Sequence, residues 1–128
     1  HASPKVARMF DAVKAAQNIA YDMIKDGVDG SSIHQAILKS FESQGFKTGE
    51  QEGRMQGFFH GTGHGVGLEI HEPPRISPRG DILKEGMVVT VEPGLYYTDA
   101  GGIRIEDMVV VTSDGCRLLT QMPILLEV

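Results

Sequence analysis

Residues 60–72 read His60-Gly61-Thr62-Gly63-His64-Gly65-Val66-Gly67-Leu68-Glu69-Ile70-His71-Glu72. Three of the chain's five histidines stand in this stretch, and every second position from 61 to 67 is glycine. Imidazole is a good ligand for divalent transition metals and a proton donor near neutral pH. Glycine on both sides of His64 removes side-chain bulk, so a substrate or metal can approach the backbone, and it permits positive φ. A glycine-rich surface loop with incidental histidines fits the spacing equally well. A phosphate cradle fits less well, because no G-x-G-x-x-G can be drawn and no Lys-Ser/Thr pair follows.

Upstream of this stretch the pattern is helical. Ser3-Pro4 reads as a helix start, with serine capping and proline in the first turn. Val6, Met9, Phe10, Val13, Ala16, Ala20, Met23 and Ile24 then recur at three- and four-residue steps, one apolar stripe on a helix of about six turns ended by Gly27. Ser31 or Ser32 is expected to cap a second helix with Ile33, Ala36, Ile37 and Phe41 inward, and Gly45 to close it. The two helices form a hairpin in this reading. Lys47–Gln56 is polar and glycine-rich and reads as a mobile loop.

Downstream the pattern is extended. Phe58-Phe59 is expected to open a short strand, and Pro73-Pro74 and Pro78 mark an extended connection. Met87–Val91, Ile103–Thr112 and Arg117–Leu119 read as strands, the last two joined by a turn at Ser113-Asp114-Gly115. Two helices followed by several strands make an α+β chain, not an alternating βαβ one.

Composition sets the bounds. The chain has 128 residues, enough for one domain with one modest core. Its net charge is 12 − 17 = −5 and it has no Lys/Arg run, which argues against a nucleic-acid partner. No apolar run approaches ~18 residues, so no membrane helix is expected. The N-terminus lacks the pattern of a signal peptide. The single cysteine, Cys116, has no internal partner, and a reducing cytoplasm is the expected location. The chain starts at His1, directly in a helix signal, and reads as a piece of something longer.

Two further segments carry candidate chemistry. Glu92 ends an apolar strand just before Pro93-Gly94, at a sheet rim where sites form; a solvated turn glutamate is the plainer reading. In Ile103-Arg104-Ile105-Glu106-Asp107, strand alternation puts Arg104 and Glu106 on one face and Asp107 on the other. An exposed ion pair would explain Arg104 and Glu106 as well. Together His64, Glu92 and Glu106 are a donor set suited to hard-to-borderline metals. Asp11 and Asp22 imitate a D-x10-D ligand pair, but on one helix they stand ~16 Å apart along the axis and share no metal. His34 reads as a helix-surface or packing residue, and Cys116 as a turn residue.

At His60–Glu72, Gly86–Tyr96 (GMVVTVEPGLY) and Gly101–Thr112 (GGIRIEDMVVVT) the chain strongly resembles the pita-bread metallopeptidases, and among them the Xaa-Pro peptidases, aminopeptidase P and prolidase. With the helix hairpin, the resemblance covers nearly the whole chain. It implies a helix hairpin packed on a curved, mostly antiparallel sheet, half of a pita-bread (creatinase/aminopeptidase) fold, with residues 1–128 forming the C-terminal part of the catalytic domain. The family's dimetal centre takes two aspartates from the first half, which has no counterpart here, then a histidine and two glutamates. By resemblance His64 is the metal-binding histidine, Glu92 the terminal ligand and Glu106 the bridging one. His60 and His71 then line the substrate site, and Tyr96 and Arg104 orient the carboxylates.

The implied activity is release of the residue before proline from a proline-containing peptide or dipeptide, with two divalent ions activating a water and Glu92 moving its proton. Manganese is the first choice of metal, with cobalt or zinc as alternatives, and the fragment alone is expected to be metal-free and inactive. The alternatives are a methionine aminopeptidase and a non-catalytic pita-bread binding module. A homodimer is also expected, through an apolar face including Phe58, Phe59, Val89 and Val91 that the missing half would cover.

Overall fold

The computed structural model describes residues 1–127. Two helices, α1 (Pro4–Met23) and α2 (Gly30–Ser43), precede nine short strands: β1 (Gly49–Gln51), β2 (Arg54–Gln56), β3 (Gly63–Gly65), β4 (Glu72–Ile76), β5 (Val88–Val91), β6 (Gly94–Tyr97), β7 (Gly101–Arg104), β8 (Asp107–Val111) and β9 (Cys116–Leu118). Five strands form one antiparallel sheet in the order β4-β3-β5-β8-β9, and β1-β2 and β6-β7 are separate hairpins. The order of elements is that of the expected α+β chain. Among the described residues no helix is long and apolar enough to cross a membrane.

The helices form for the reasons read from their sequences. Ser3 accepts the Val6 amide and Pro4 occupies the first turn of α1. The inner face of α1 is Met9, Ala12, Val13, Ala16 and Ala20, all fully buried. Its alanines let α2 approach, and α2 answers with Ile33, Ile37 and Phe41, also fully buried. The Phe41 ring meets Phe58 edge-on at 5.5 Å. Burial of one such side chain contributes about 2–3 kcal/mol. The helices pack against the sheet side that carries Val89, Val91, Val109 and Val111, so a single core lies between the layers.

Several local expectations give way. Asp29, not Ser31 or Ser32, caps α2, its carboxylate accepting the Ser31 amide at 2.8 Å. The α1 helix ends at Ile24, and Gly27, at φ +81°, serves the turn beyond. The Lys47–Gln56 loop contains the β1-β2 hairpin, because Glu52 and Gly53 at φ 52° and 73° make the tight turn that antiparallel strands need. Phe58-Phe59 forms no strand, and the proline-rich connection supplies β4.

The expected 103–112 strand is two strands broken at Ile105-Glu106, so simple alternation does not run through it. The apolar face predicted for self-association is mostly absent as well. Phe58, Val89 and Val91 are buried under the chain's own helices, and only Phe59 of that group is exposed.

Candidate metal centre

His64 sits at the middle of β3, between β4 and β5. Its flanking glycines are demanded by those neighbours rather than by a ligand. A Cβ on Gly63 would stand 1.9 Å from the Thr90 carbonyl oxygen, and one on Gly65 would stand 2.3 Å from that of Pro73. Neither glycine has positive φ. The alternating glycines therefore let three strands close tightly around one histidine.

Thr90, on β5, ties the centre together. Its hydroxyl accepts the His64 amide at 3.0 Å and donates to Glu92 Oε1 at 3.0 Å. The Glu92 amide in turn donates to the Thr62 carbonyl at 2.7 Å, just ahead of β3. Glu92 thus leaves the end of β5 already bound to the histidine strand. His64 Nδ1 lies 3.0 Å from the Gly65 carbonyl, which only accepts, so Nδ1 carries the proton. In the neutral ring Nε2 is then a bare lone pair, 3.1 Å from Glu92 Oε1. Two acceptors at that distance repel unless a proton or a metal cation stands between them. The donor set and its tautomer fit a borderline divalent cation.

Glu106 lies in the break between β7 and β8 and is exposed. It lines a cleft of about 370 Å³ that His64, His71, Glu92 and Arg104 also line. Among the described residues no three His, Cys, Asp or Glu side chains converge closely enough to hold a metal ion by themselves. The chain therefore assembles His64 with Glu92 and sets Glu106 on the wall of the same cleft. Asp11 and Asp22 are exposed on α1, in keeping with their reading as solvated residues.

The residues expected around the metal are placed differently from one another. His60 holds Gly61 O through Nδ1 at 2.8 Å and meets the Tyr96 hydroxyl through Nε2 at 3.0 Å. Tyr96 therefore steadies His60 and bonds no carboxylate. Its side chain packs on Gly94 and Gly102, where added Cβ atoms would come within 2.7 Å of its hydroxyl oxygen and 2.6 Å of its ring. His71 is exposed, with its ring 4.4 Å from that of His64. His60, His64, His71, Glu92 and Arg104 line a second cleft of about 350 Å³. Arg104 faces Glu92, Nε to Oε2 at 3.9 Å, and among the described residues it makes no ion pair with Glu106, although both line the 370 Å³ cleft. At that distance and exposure the contact contributes little stability.

Sequence reasoning missed two supports. Thr90 was findable, since it stands two residues before Glu92 on the same strand face. His34 was not. It is buried on α2, with Nδ1 3.0 Å from the Thr62 hydroxyl, and burial, with the repulsion of nearby His60, holds its imidazole down at about 4. Its partner lies 28 residues away, and only the packing of α2 on β4 brings them together.

Comparison with known proteins finds relatives in both sequence and fold. The Xaa-Pro dipeptidase of Pyrococcus furiosus is 40% identical over 118 residues, 91% of this chain and 32% of that protein. The Xaa-Pro dipeptidase of Lactobacillus delbrueckii is 35% identical over 117 residues, again 91% of this chain and 30% of the relative. An X-Pro aminopeptidase structure from Thermotoga maritima superposes with a TM-score of 0.83 at 38% identity, covering 94% of this chain and 32% of that one. The prolidase structure from Pyrococcus furiosus gives the same TM-score and identity, covering 94% and 34%. The chain thus spans about a third of the length of the relatives it matches. The architecture is the pita-bread one of these neighbours. Residues 1–113 match metallopeptidase family M24, and the chain belongs to that family.

Proposed function

We propose that residues 1–128 supply the C-terminal part of the catalytic domain of a dimetal exopeptidase that releases the N-terminal residue from Xaa-Pro peptides or dipeptides. The observation that carries this reading is the His64–Glu92 pair, two acceptors held 3.1 Å apart on a cleft that Glu106 also lines. The names of the relatives, Xaa-Pro dipeptidase and prolidase, support the substrate class.

His64 Nε2 and the carboxylates of Glu92 and Glu106 would hold the ions, with two aspartates from the preceding half completing the set. Divalent ions so held lower the pKa of a water and polarise the scissile carbonyl. Glu92 Oε1 is occupied by the Thr90 hydroxyl, which leaves Oε2 to take the proton of the attacking water and pass it to the leaving amine. His60, braced by Tyr96, orients the peptide on one wall of the cleft. His71, on the exposed lip, donates to charge developing on the carbonyl oxygen. Arg104 stands beside Glu92 on the same cleft, its Nε 3.9 Å from Oε2, and would help orient that carboxylate.

Manganese is the proposed metal, on the strength of the N/O donor set. A cytoplasmic location belongs to the same proposal and rests on the single free cysteine, Cys116. The test is hydrolysis of Xaa-Pro dipeptides and longer Xaa-Pro peptides by the complete gene product with added Mn²⁺, before and after chelation. Metal-dependent release of the residue before proline is expected. Metal-independent cleavage, or none with any divalent ion, would overturn the reading.

A further inference from the structure

The inner face of α1 is apolar except at one position. Gln17 is 2% exposed and stands among Val13, Ala16 and Ala20. A buried amide needs partners, and its Nε2 has three: the Val91 carbonyl at 3.4 Å, the Ile105 carbonyl at 3.2 Å and Asp107 Oδ2 at 3.4 Å. All three accept only, so the –NH₂ end faces them. Two hydrogens serve three acceptors, of which the Ile105 carbonyl is the nearest.

The identity of those acceptors matters. Val91 immediately precedes Glu92, and Ile105 immediately precedes Glu106. Val91 and Asp107 form the last rung of the β5-β8 ladder. Glu92 and Glu106 therefore both lie just past the end of that ladder, where no sheet hydrogen bond fixes their separation. The Gln17 amide crosses that gap.

One helical turn on, Tyr21 donates its hydroxyl to Asp107 Oδ2 at 2.9 Å, and the Thr120 hydroxyl donates to Oδ1. Asp107 thus faces α1 through Tyr21, while Glu106 lines the cleft.

We propose that Gln17 is a positioning residue that sets the separation of the Glu92 and Glu106 carboxylates, and through it the affinity for the paired ions. This rests on the reading of Glu92 and Glu106 as ligands. Tyr21 holds only one of the two strand ends, so it supports the fold without setting that separation.

The experiment is titration of the complete gene product with Mn²⁺ alone, followed by the electron paramagnetic resonance of free Mn²⁺, beside thermal unfolding of the apoprotein. The variants are Gln17→Met, Gln17→Glu and Tyr21→Phe. Gln17→Met removes the amide at similar volume, and Gln17→Glu keeps its shape while turning an oxygen toward three acceptors. Both are expected to raise the Mn²⁺ Kd at least tenfold, and should Gln17→Met fail to fold, Gln17→Glu alone decides. Tyr21→Phe is expected to lower the melting temperature with less than a twofold change in Kd. Unchanged Kd in a folded Gln17 variant, or loss of affinity in all three in step with their loss of stability, would overturn the positioning role alone. No Mn²⁺ binding by the wild-type protein would instead overturn the ligand reading, and this inference with it.

Discussion

Replacing Thr90 by valine changes one hydroxyl to a methyl and leaves the shape of the side chain alone. Thr90 is 3% exposed, so the new methyl meets no solvent. What disappears is the link between His64 and Glu92. The His64 amide loses its acceptor and Glu92 Oε1 loses its donor, both bonds being 3.0 Å long. A neutral bond of this kind contributes about 1 kcal/mol and one to a carboxylate about 1.5–3. Both partners are only part-buried and recover some hydration, so the expected net loss is roughly 2 kcal/mol. Thr90→Ser keeps the hydroxyl and loses one methyl, a cost of about 0.8 kcal/mol.

The assay is urea unfolding of the 128-residue chain at pH 7, followed by circular dichroism. The expected order is wild type, then serine, then valine. A valine variant within about 0.5 kcal/mol of wild type, or one no worse than serine, would refute the claim that the hydroxyl joins the two strands.

Other expectations follow from the same contacts. Gly63→Ala drives a Cβ into the Thr90 carbonyl and should separate β3 from β5, lowering stability by about 3 kcal/mol or more; near-wild-type unfolding would contradict the packing described. In the complete gene product Glu106→Ala should abolish Mn²⁺ binding, whereas Asp107→Ala, which loses Tyr21, Thr120 and one of the three acceptors of Gln17 but leaves its two backbone carbonyls, should mainly lower the melting temperature; equal metal loss in both would refute the assignment of sides. The folded-state pKa of His34 lies near 4, below the 6.5 of a free imidazole, so its contribution is full above 6.5 and is lost as pH falls from 6.5 through 4. His34→Gln should flatten the fall in stability over that window, and an unchanged pH profile would exclude His34 as its source. Light scattering is expected to give a homodimer, now resting on the exposed Phe59, Leu68 and Ile70, and a mass of 13.9 kDa for the 128-residue chain would rule it out for that chain.

Local patterns alone determine much of this molecule. The apolar stripe of α1, the Ser3-Pro4 start and the β run of Val88–Val91 need only near neighbours, and all three are present as expected. The three segments bearing His64, Glu92 and Glu106 carry the family resemblance because the chemistry needs those residue types. Tertiary structure decided the rest. The glycines around His64 look like access for a ligand until β4 and β5 are seen filling the space. Arg104 and Glu106 reach one cleft without pairing, on either side of a strand break at Ile105-Glu106 where Gln17 reaches in from a helix 88 residues away in sequence. The Thr90 hydroxyl and buried His34 take their meaning from strands and helices brought together late in the chain. Periodicity reports which way a side chain points; it carries no information about what distant segment will stand opposite, and at this site the opposite segment sets the geometry.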